Sequence, residues 1–390
     1  MQATDTPDTI HQDAEVLASW LHFGLAEGVG RMTAAALVRR FGTPSAAREA
    51  LLALPPALPG TEADVEAAGD IGCDLSTGQL RSLCAAPGDE LRALAQRTLE
   101  WAAQPGNRLM ALDDPHYPPL LRQIDDPPLL LYIKGNAALL RGQCFAIVGS
   151  RNASMQGKLN AEHFGQCLSD AGLTIVSGLA RGIDAGAHRG GLRGRGSSVA
   201  VIATGADRIY PRANEALAHE LAEQGCIVSE FPLGTPPCAW QFPVRNRIIS
   251  GLSRGVLVVE AATASGSLVT ANAALKQNRE VFAIPGSIHA TLSRGCHRLL
   301  RDGAVLVETN DDVLHGLGLS SPPRETMLIN ELERAADVLL DVLSFDPLTA
   351  DALARHLRLD VAATQASLLA LELAGLIERL PGGLFRRLRR

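Results

Sequence analysis

Five short motifs rich in Gly, Ser, Asn and Arg carry the side chains of this sequence that are best suited to binding phosphate. Backbone N–H groups at a glycine-rich turn before a helix attract anions, and the forked guanidinium group of arginine binds phosphate through two hydrogen bonds. The candidate phosphate-binding residues are Gly149, Ser150, Arg151, Ser177, Gly178, Gly182, Arg245, Asn246, Arg247, Ser265, Gly266, Ser267, His297 and Arg298. Together they predict a pocket for a phosphate backbone.

Each motif also has a plainer interpretation. The Gly149 motif is equally consistent with a tight turn between a strand and a helix, and the two arginines of Arg245-Asn246-Arg247 could form surface ion pairs. Asp184 more readily caps the helix that follows it than binds a ligand. A nucleotide-binding P-loop is excluded, because Gly157-Lys158 is followed by leucine rather than serine or threonine.

Catalytic and metal sites are poorly supported by the sequence. Glu260 could act as a general base, but no nucleophile or second carboxylate is spaced to join it. His188 has no second His or Cys at ligand spacing, and the seven cysteines never form a CxxC pair. We therefore expect no metal and no cofactor, and we expect binding rather than turnover.

The central segment must position these motifs. Between about residues 107 and 320, short β-branched runs alternate with amphipathic helical patterns, and most runs end in Gly, Ser or Thr. The predicted strands are 145–148, 173–176, 199–202, 227–229, 256–259, 281–284 and 305–307. Continuous apolar strands separated by helices predict an α/β fold, with a doubly wound, mostly parallel Rossmann-like sheet that places its ligand beyond the strand ends.

The flanking segments predict two further domains. Residues 1–106 show helical spacing of apolar residues, interrupted by a Pro- and Gly-rich stretch at 55–72 that we interpret as loop or weak helix. Residues 321–390 follow the winged-helix order, with helices at 330–343, 350–356 and 361–374 and strands at 376–379 and 384–386. The third helix contains neither Lys nor Arg, so a protein contact there is favoured over reading a DNA groove.

The charge of the 390-residue chain is −6, and residues 1–110 account for it with 14 acidic and 8 basic side chains. That total excludes a polycationic coat for nucleic acid but leaves room for a local basic pocket. The first 15 residues do not resemble a signal peptide and no apolar run is long enough to span a bilayer, so we expect a cytoplasmic protein without membrane insertion. Aromatic residues make up 4% of the chain, which predicts a small contribution from base stacking.

Seven motifs in residues 112–308 resemble, in order, those of the DprA/Smf family of DNA-processing proteins. They include Gly149-Ser-Arg151, Ser177-Gly-x-Ala-x-Gly-Ile-Asp184, Phe242-Pro-x-Arg-Asn-Arg-Ile-Ile-x-Gly-Leu-Ser253 and Ser265-Gly-Ser-Leu268. The resemblance implies a dimeric protein, not an enzyme, that binds single-stranded DNA and loads the RecA recombinase during natural transformation. It places Arg151, Arg245, Asn246, Arg247, Ser265 and Ser267 in the basic pocket of the family. His297 departs from the pattern, since the family usually has Asn there.

The flanks and the rival functions complete the prediction. Gly28-Val-Gly30-Arg31 resembles a SAM-like or helix-hairpin-helix element, although the acidic charge of this segment is equally consistent with a structural or protein-contact role. The chain as a whole is predicted to contain a helical domain at 1–106, a Rossmann-like DNA-binding domain at 107–320 and a winged helix at 321–390. The alternative function is a Rossmann-like nucleotide-processing enzyme that uses Glu260 as its base. A transcription factor acting through the winged helix is disfavoured by the neutral third helix.

Overall fold

The computed structural model describes residues 13–53, 75–319, 339, 343, 348–357, 360–373, 376–380 and 382–387. The chain divides into two compact units, Met1–Leu319 and Ser320–Arg390. The predicted loop at 55–72 lies outside the described residues, as does nearly all of the predicted helix at 330–343.

Among the described residues, the first unit contains thirteen α-helices. They are α1 (Ala14–Leu25), α2 (Arg31–Phe41), α3 (Pro44–Leu52), α4 (Thr77–Cys84), α5 (Asp89–Ala102), α6 (Pro119–Arg122), α7 (Met155–Asp170), α8 (Ile183–Arg193), α9 (Glu215–Gln224), α10 (Gln241–Leu252), α11 (Gly266–Lys276), α12 (Arg294–Arg301) and α13 (Asn310–Gly316). Within the described part of the chain, no helix is long and apolar enough to cross a membrane.

One nine-stranded sheet runs through the first unit. Its strands are β1 (Asn107–Ala111), β2 (Leu130–Gly135), β3 (Cys144–Val148), β4 (Thr174–Ser177), β5 (Ser198–Val201), β6 (Cys226–Ser229), β7 (Gly255–Val258), β8 (Glu280–Ala283) and β9 (Val305–Leu306). They lie in the order β1-β2-β6-β5-β4-β3-β7-β8-β9. The strands from β6 to β9 in that order are parallel, whereas β1 pairs with β2 and β2 with β6 in antiparallel fashion.

The predicted α/β fold with a mostly parallel sheet is confirmed, and the residues of β3 show why it forms. All five residues of this strand are buried, because helices cover both faces of the sheet. Phe145 and Ile147 pack on one side, while Ala146 and Val148 pack on the other with the apolar residues of α10 and α11. The order of the parallel strands reverses between β3 and β7, which creates a switch point at the centre of the sheet.

The amino-terminal helices pack against the antiparallel edge of this sheet. Trp20 and Trp101 belong to the same buried cluster as β2, and the rings of Trp101 and Tyr132 lie 5.9 Å apart. Arg39 on α2 donates to the carbonyl oxygens of Arg122 and Ile124, at 2.5 and 2.6 Å. The helical segment is therefore continuous with the sheet core; a domain boundary at residue 106 stays a prediction.

The second unit contains the winged-helix elements predicted from the sequence. They are α14 (Ala350–Leu357), α15 (Val361–Leu373), β11 (Ile377–Leu380) and β12 (Leu384–Arg387), and a short strand that was not predicted, β10 (Leu348–Thr349), precedes them. The three strands pair in the order β10-β12-β11, and Leu353, Leu368 and Phe385 share one apolar cluster.

Candidate nucleic-acid interface

A long cleft opens at the carboxyl ends of β3, β4 and β7, where the strand order reverses. It consists of two adjoining cavities of about 750 and 530 Å³. The two cavities share Arg151, Asn152, Ala180, Tyr210, Phe242 and Arg245, so they form one continuous surface, which we call the groove. This is the place where open α/β sheets bind their ligands.

The loop after β3, residues 149–154, forms one wall of the groove. The Ser150 N–H donates to the carbonyl oxygen of Glu260 at 2.7 Å, and the Glu260 carboxylate accepts from the Ser154 N–H and hydroxyl at 2.9 and 2.5 Å. Ser154 in turn caps α7 by accepting from the Gly157 N–H at 2.9 Å. Both carboxylate oxygens of Glu260 are thus engaged in holding this loop.

The loop after β4 is held by buried polar groups. Asp184 accepts from the Gly178 and Ala180 N–H groups at 3.2 and 3.3 Å. The expected cap of the following helix is absent: Gly182, with a φ of +80°, occupies that position, and Asp184 braces the preceding loop instead. Burial raises the pKa of Asp184, although the nearby Arg245 opposes the rise.

His188 supports the same loop from beneath. Its Nε2 accepts from the Leu179 N–H at 3.2 Å, so Nδ1 carries the proton and donates to the Ser198 hydroxyl at 2.8 Å. Burial, with a smaller contribution from the charges of Arg245 and Arg189, lowers the pKa of His188 to about 3. The imidazole is therefore neutral and acts as a fixed part of the scaffold.

Arg245 forms the floor of the groove. Only 3% of it is exposed, and it donates to the carbonyl oxygens of Gly178, at 2.8 Å, and of Val201. Among the described residues no carboxylate lies within ion-pair distance of it, and its Nε has no hydrogen-bond partner. Burial lowers the pKa of Arg245 to about 10; Asp184 opposes that change and Arg151 adds to it. A buried cation with no carboxylate of the described residues in ion-pair contact favours an anionic ligand.

Arg247 lies two residues further along the same helix but faces away from the groove. Its Nε contacts Asp126 at 2.8 Å, and its two terminal nitrogens contact Glu230 at 2.7 and 3.2 Å. Burial alone would lower the pKa of Arg247, but these two carboxylates outweigh it and raise the pKa. The structure thus assigns this guanidinium to an ion-pair cluster beneath the amino-terminal helices.

The amino terminus of α11 forms the opposite wall. Ser265 caps the helix, and its hydroxyl lies 2.7 Å from that of Ser267. Asn246 donates from its side-chain amide to the Gly266 carbonyl oxygen at 3.3 Å, which joins α10 to this wall. The N–H groups and hydroxyls of such a helix start can bind phosphate oxygens.

Aromatic rings lie between the two cavities. The guanidinium carbon of Arg151 lies 5.1 Å from the ring centre of Phe242, and that ring lies 5.7 Å from Tyr210. Tyr210 is 44% exposed. The sequence motifs included Phe242 but not Tyr210. The one signal for Tyr210 in the sequence was that it is an aromatic residue in a chain with few of them.

The charge of the groove is positive. Its lining contains four arginines, Arg151, Arg181, Arg212 and Arg245, against one carboxylate, the buried Asp184. Arg181 lies within the Ser177–Asp184 motif but was not among the candidate residues, and Arg212 lies outside the motifs. The field at this surface therefore attracts anions although the chain as a whole is acidic.

The predicted site residues separate into two sets. Those that line the groove are Gly149, Ser150, Arg151, Gly178, Arg245, Asn246, Ser265, Gly266 and Ser267. Those that do not are Ser177, Gly182, Arg247, His297 and Arg298. Ser177 is buried and donates to the Ile147 carbonyl oxygen, while His297 Nε2 lies 3.0 Å from the Gly286 carbonyl oxygen and Arg298 pairs with Asp302 at 3.6 Å.

Comparison with known proteins places this chain in a family. Residues 108–318, more than half of the chain, match the family model described as DNA recombination-mediator protein A. The chain belongs to the DprA/Smf family of DNA-processing proteins. Residues 323–383 match a second model, the DprA winged helix domain, in agreement with the elements of the second unit.

Relatives of the DprA/Smf family align over much of the chain. Protein Smf of Escherichia coli (strain K12) is 43% identical over 308 residues, covering 77% of this chain and 82% of that protein. DNA processing protein DprA of Streptococcus pneumoniae (strain ATCC BAA-255 / R6) is 49% identical over 203 residues, 52% of this chain and 71% of that one. The X-ray structure of DprA from Streptococcus pneumoniae superposes with a TM-score of 0.54 and 36% identity, covering 74% of this chain and 98% of that one.

Proposed function

We propose that this DprA/Smf protein binds single-stranded DNA in the groove and acts as a recombination mediator that protects the strand and loads the RecA recombinase during natural transformation. The observation that carries the binding step is Arg245, a buried cation without a carboxylate partner among the described residues, at the floor of a groove lined by further arginines. The mediator step is supported by membership of a family whose model is described as a DNA recombination mediator.

The aromatic rings in the groove favour a single strand over a duplex. Tyr210 and Phe242 present rings beside groups suited to phosphate, and a ring can stack on a base only when that base is unpaired. Contacts to phosphate and to ring faces carry no base identity, so we expect binding of any sequence.

An enzyme that uses Glu260 as a general base gains no support from the site. Both oxygens of that carboxylate accept hydrogen bonds from Ser154, and the side chain is absent from the lining of the groove. We therefore propose binding without turnover, by a homodimer in which two grooves could engage one strand and increase avidity.

Binding of labelled oligonucleotides across a range of salt concentrations tests the proposal. We expect tighter binding of single strands than of duplexes, and a steep loss of affinity with salt because bound phosphates release counterions. Replacing the exposed Arg151 with alanine should weaken binding and reduce the slope of log K against log salt by about 0.7, the value for one phosphate contact on a single strand. A duplex preference that disappears when residues 321–390 are removed would contradict the proposal, as would nucleotide turnover that Glu260→Gln abolishes.

The mediator step needs its own assay. RecA filament formation on DNA already coated with single-strand-binding protein should start faster when this protein is added. An unchanged lag would contradict loading while leaving strand binding intact.

A further inference from the structure

Glu260 connects two strands of the sheet across the switch point. It follows directly after β7, yet its main chain and its side chain both hold the loop that follows β3. Its carbonyl oxygen accepts from the Ser150 N–H at 2.7 Å, and its carboxylate accepts from the N–H and hydroxyl of Ser154 at 2.9 and 2.5 Å. The residue that presents a guanidinium to the groove, Arg151, lies between these two attachment points.

The space around the carboxylate is built to fit it. Gly157, in the first turn of α7, faces Glu260, and a Cβ atom at that position would lie 2.5 and 2.7 Å from the two carboxylate oxygens. The helix start is also where a negative charge is stabilised by the helix dipole and by unpaired N–H groups. A side chain at residue 157 would therefore push the Glu260 carboxylate away from Ser154.

We propose that Glu260 is a positioning residue for DNA binding, which holds the loop of residues 149–154 so that Arg151 lies over Phe242 at the edge of the groove. The inference rests on the proposed binding of single-stranded DNA. It assigns a function to a carboxylate that the binding site itself does not use.

Positioning and simple electrostatics predict opposite changes in DNA affinity when the Glu260 carboxylate is removed. Glu260 carries a negative charge close to a surface that attracts phosphate, so removing that charge should strengthen DNA binding if charge alone mattered. If Glu260 positions the loop, removing its side chain should weaken binding, because Arg151 is then no longer held in the bound geometry.

Four variants of the full chain separate these effects when binding of a labelled oligothymidylate is measured. Glu260→Ala removes both the charge and the hydrogen bonds to Ser154, and we expect about tenfold weaker binding. Gly157→Ala keeps the charge but displaces the carboxylate, and it should weaken binding in the same direction. Glu260→Gln removes the charge but keeps an acceptor for the Ser154 N–H and a donor for its hydroxyl, so it should keep most of the native affinity.

Glu215→Ala is the matched charge control. Glu215 pairs with the groove residue Arg212 at 3.9 Å and contacts no part of the loop. This variant should bind as well as the native protein or better.

Two measurements keep loss of folding apart from loss of positioning. Gly157→Ala introduces a better helix former and displaces only the end of a flexible side chain, so its thermal unfolding should stay close to that of the native protein. In Glu260→Ala and Gly157→Ala, the slope of log K against log salt should fall by about 0.7, as it should for Arg151→Ala, since the same phosphate contact is lost.

The possible outcomes separate the inference from the proposed function. Weaker binding and a smaller slope in Glu260→Ala and Gly157→Ala, with recovery in Glu260→Gln, would support positioning. Native or tighter binding in Glu260→Ala and Gly157→Ala would overturn positioning while the native protein still binds the oligonucleotide. If the native protein does not bind it at all, the proposed function itself is wrong.

Discussion

Arg245 and Arg247 lie two residues apart on α10, but they belong to regions with opposite electrostatic designs. In the groove, Arg245 is bonded to main-chain carbonyl oxygens, and burial lowers its pKa to about 10. In the cluster beneath the amino-terminal helices, Arg247 is held by Glu230 and Asp126, which raise its pKa. The first region keeps a positive charge available for a ligand, whereas the second neutralises its charge within the protein.

This contrast shows how two arginines of one motif can serve different purposes. Burying a guanidinium is unfavourable unless its charge is compensated. Arg247 obtains that compensation from carboxylates of the chain itself. Arg245 lacks such a partner in the described part of the chain, which is the condition expected of a site completed by phosphate.

The largest effect that tests the contrast is on stability, at Arg247. Replacing it with alanine leaves the buried Glu230 with only the more distant Arg31, at 3.9 Å, and leaves the partly exposed Asp126 without this cation. We expect the free energy of unfolding to fall by about 3 kcal/mol, the lower end of the range for a broken buried ion pair. Urea unfolding measures this loss. Combining Arg247→Met with Glu230→Met should recover part of it, because apolar residues of similar volume replace the buried pair with Glu230 while the partly exposed Asp126 still loses its cation. Weakened DNA binding with native stability would instead place Arg247 in the ligand site.

The next effect is on affinity, at Arg245. Arg245→Met leaves no carboxylate unpaired in ion-pair contact, so it should reduce stability less than Arg247→Ala does. We expect binding of single-stranded DNA to weaken by about 1.5–3 kcal/mol, the range for a hydrogen bond to a charged group. Arg245→Lys keeps the charge without the forked geometry, so its affinity for single-stranded DNA should lie between those of Arg245→Met and the native protein. Unchanged affinity in Arg245→Met would remove this residue from the binding site.

The effect that is smallest near neutral pH is the pH dependence of stability, which comes from His188 beneath the groove. Its pKa is about 3 in the folded protein, against a usual value of 6.5, because burial favours the neutral ring. Its stabilising contribution is therefore complete above pH 6.5 and is lost as the pH falls from 6.5 toward 3, by at most about 1.4 kcal/mol per pH unit.

His188→Gln provides the matched comparison, since an amide can accept from the Leu179 N–H without taking up a proton. The decline in the free energy of unfolding below pH 6.5 should be shallower in this variant. The Arg247→Met/Glu230→Met variant should keep the native decline, because the titrating group lies in the other region. Equal slopes for His188→Gln and the native protein would contradict the assignment.

The sequence was sufficient to predict the parallel part of the sheet. Its seven strands are continuous apolar runs, most of them ended by small residues, so the burial of the central strands on both faces is visible in composition alone. The two antiparallel strands, Asn107–Ala111 and Leu130–Gly135, were not predicted. They pair with each other and with β6, and these pairings are between distant segments that no local sequence pattern predicts.

The candidate site was predictable only in part, for the same reason. Gly149, Arg151, Ser265 and Ser267 lie at strand ends and helix starts, where local rules apply. The assignment of Arg247 depends on Asp126, which lies 121 residues earlier in the chain, so spacing could not separate it from Arg245. The low aromatic content likewise gave no sign that Tyr210 and Phe242 meet in the groove, since composition averages over the whole chain.

Photocrosslinking of the full-length protein to an oligothymidylate, followed by mass spectrometry of the crosslinked peptides, tests the location of the DNA site most directly. Aromatic side chains that stack on bases should crosslink, and the groove presents two of them. We expect crosslinks at Tyr210 and Phe242, competed by unlabelled single strands and reduced by high salt. Crosslinks confined to α14, α15 and the strands of the winged helix would contradict the assignment of DNA binding to the groove.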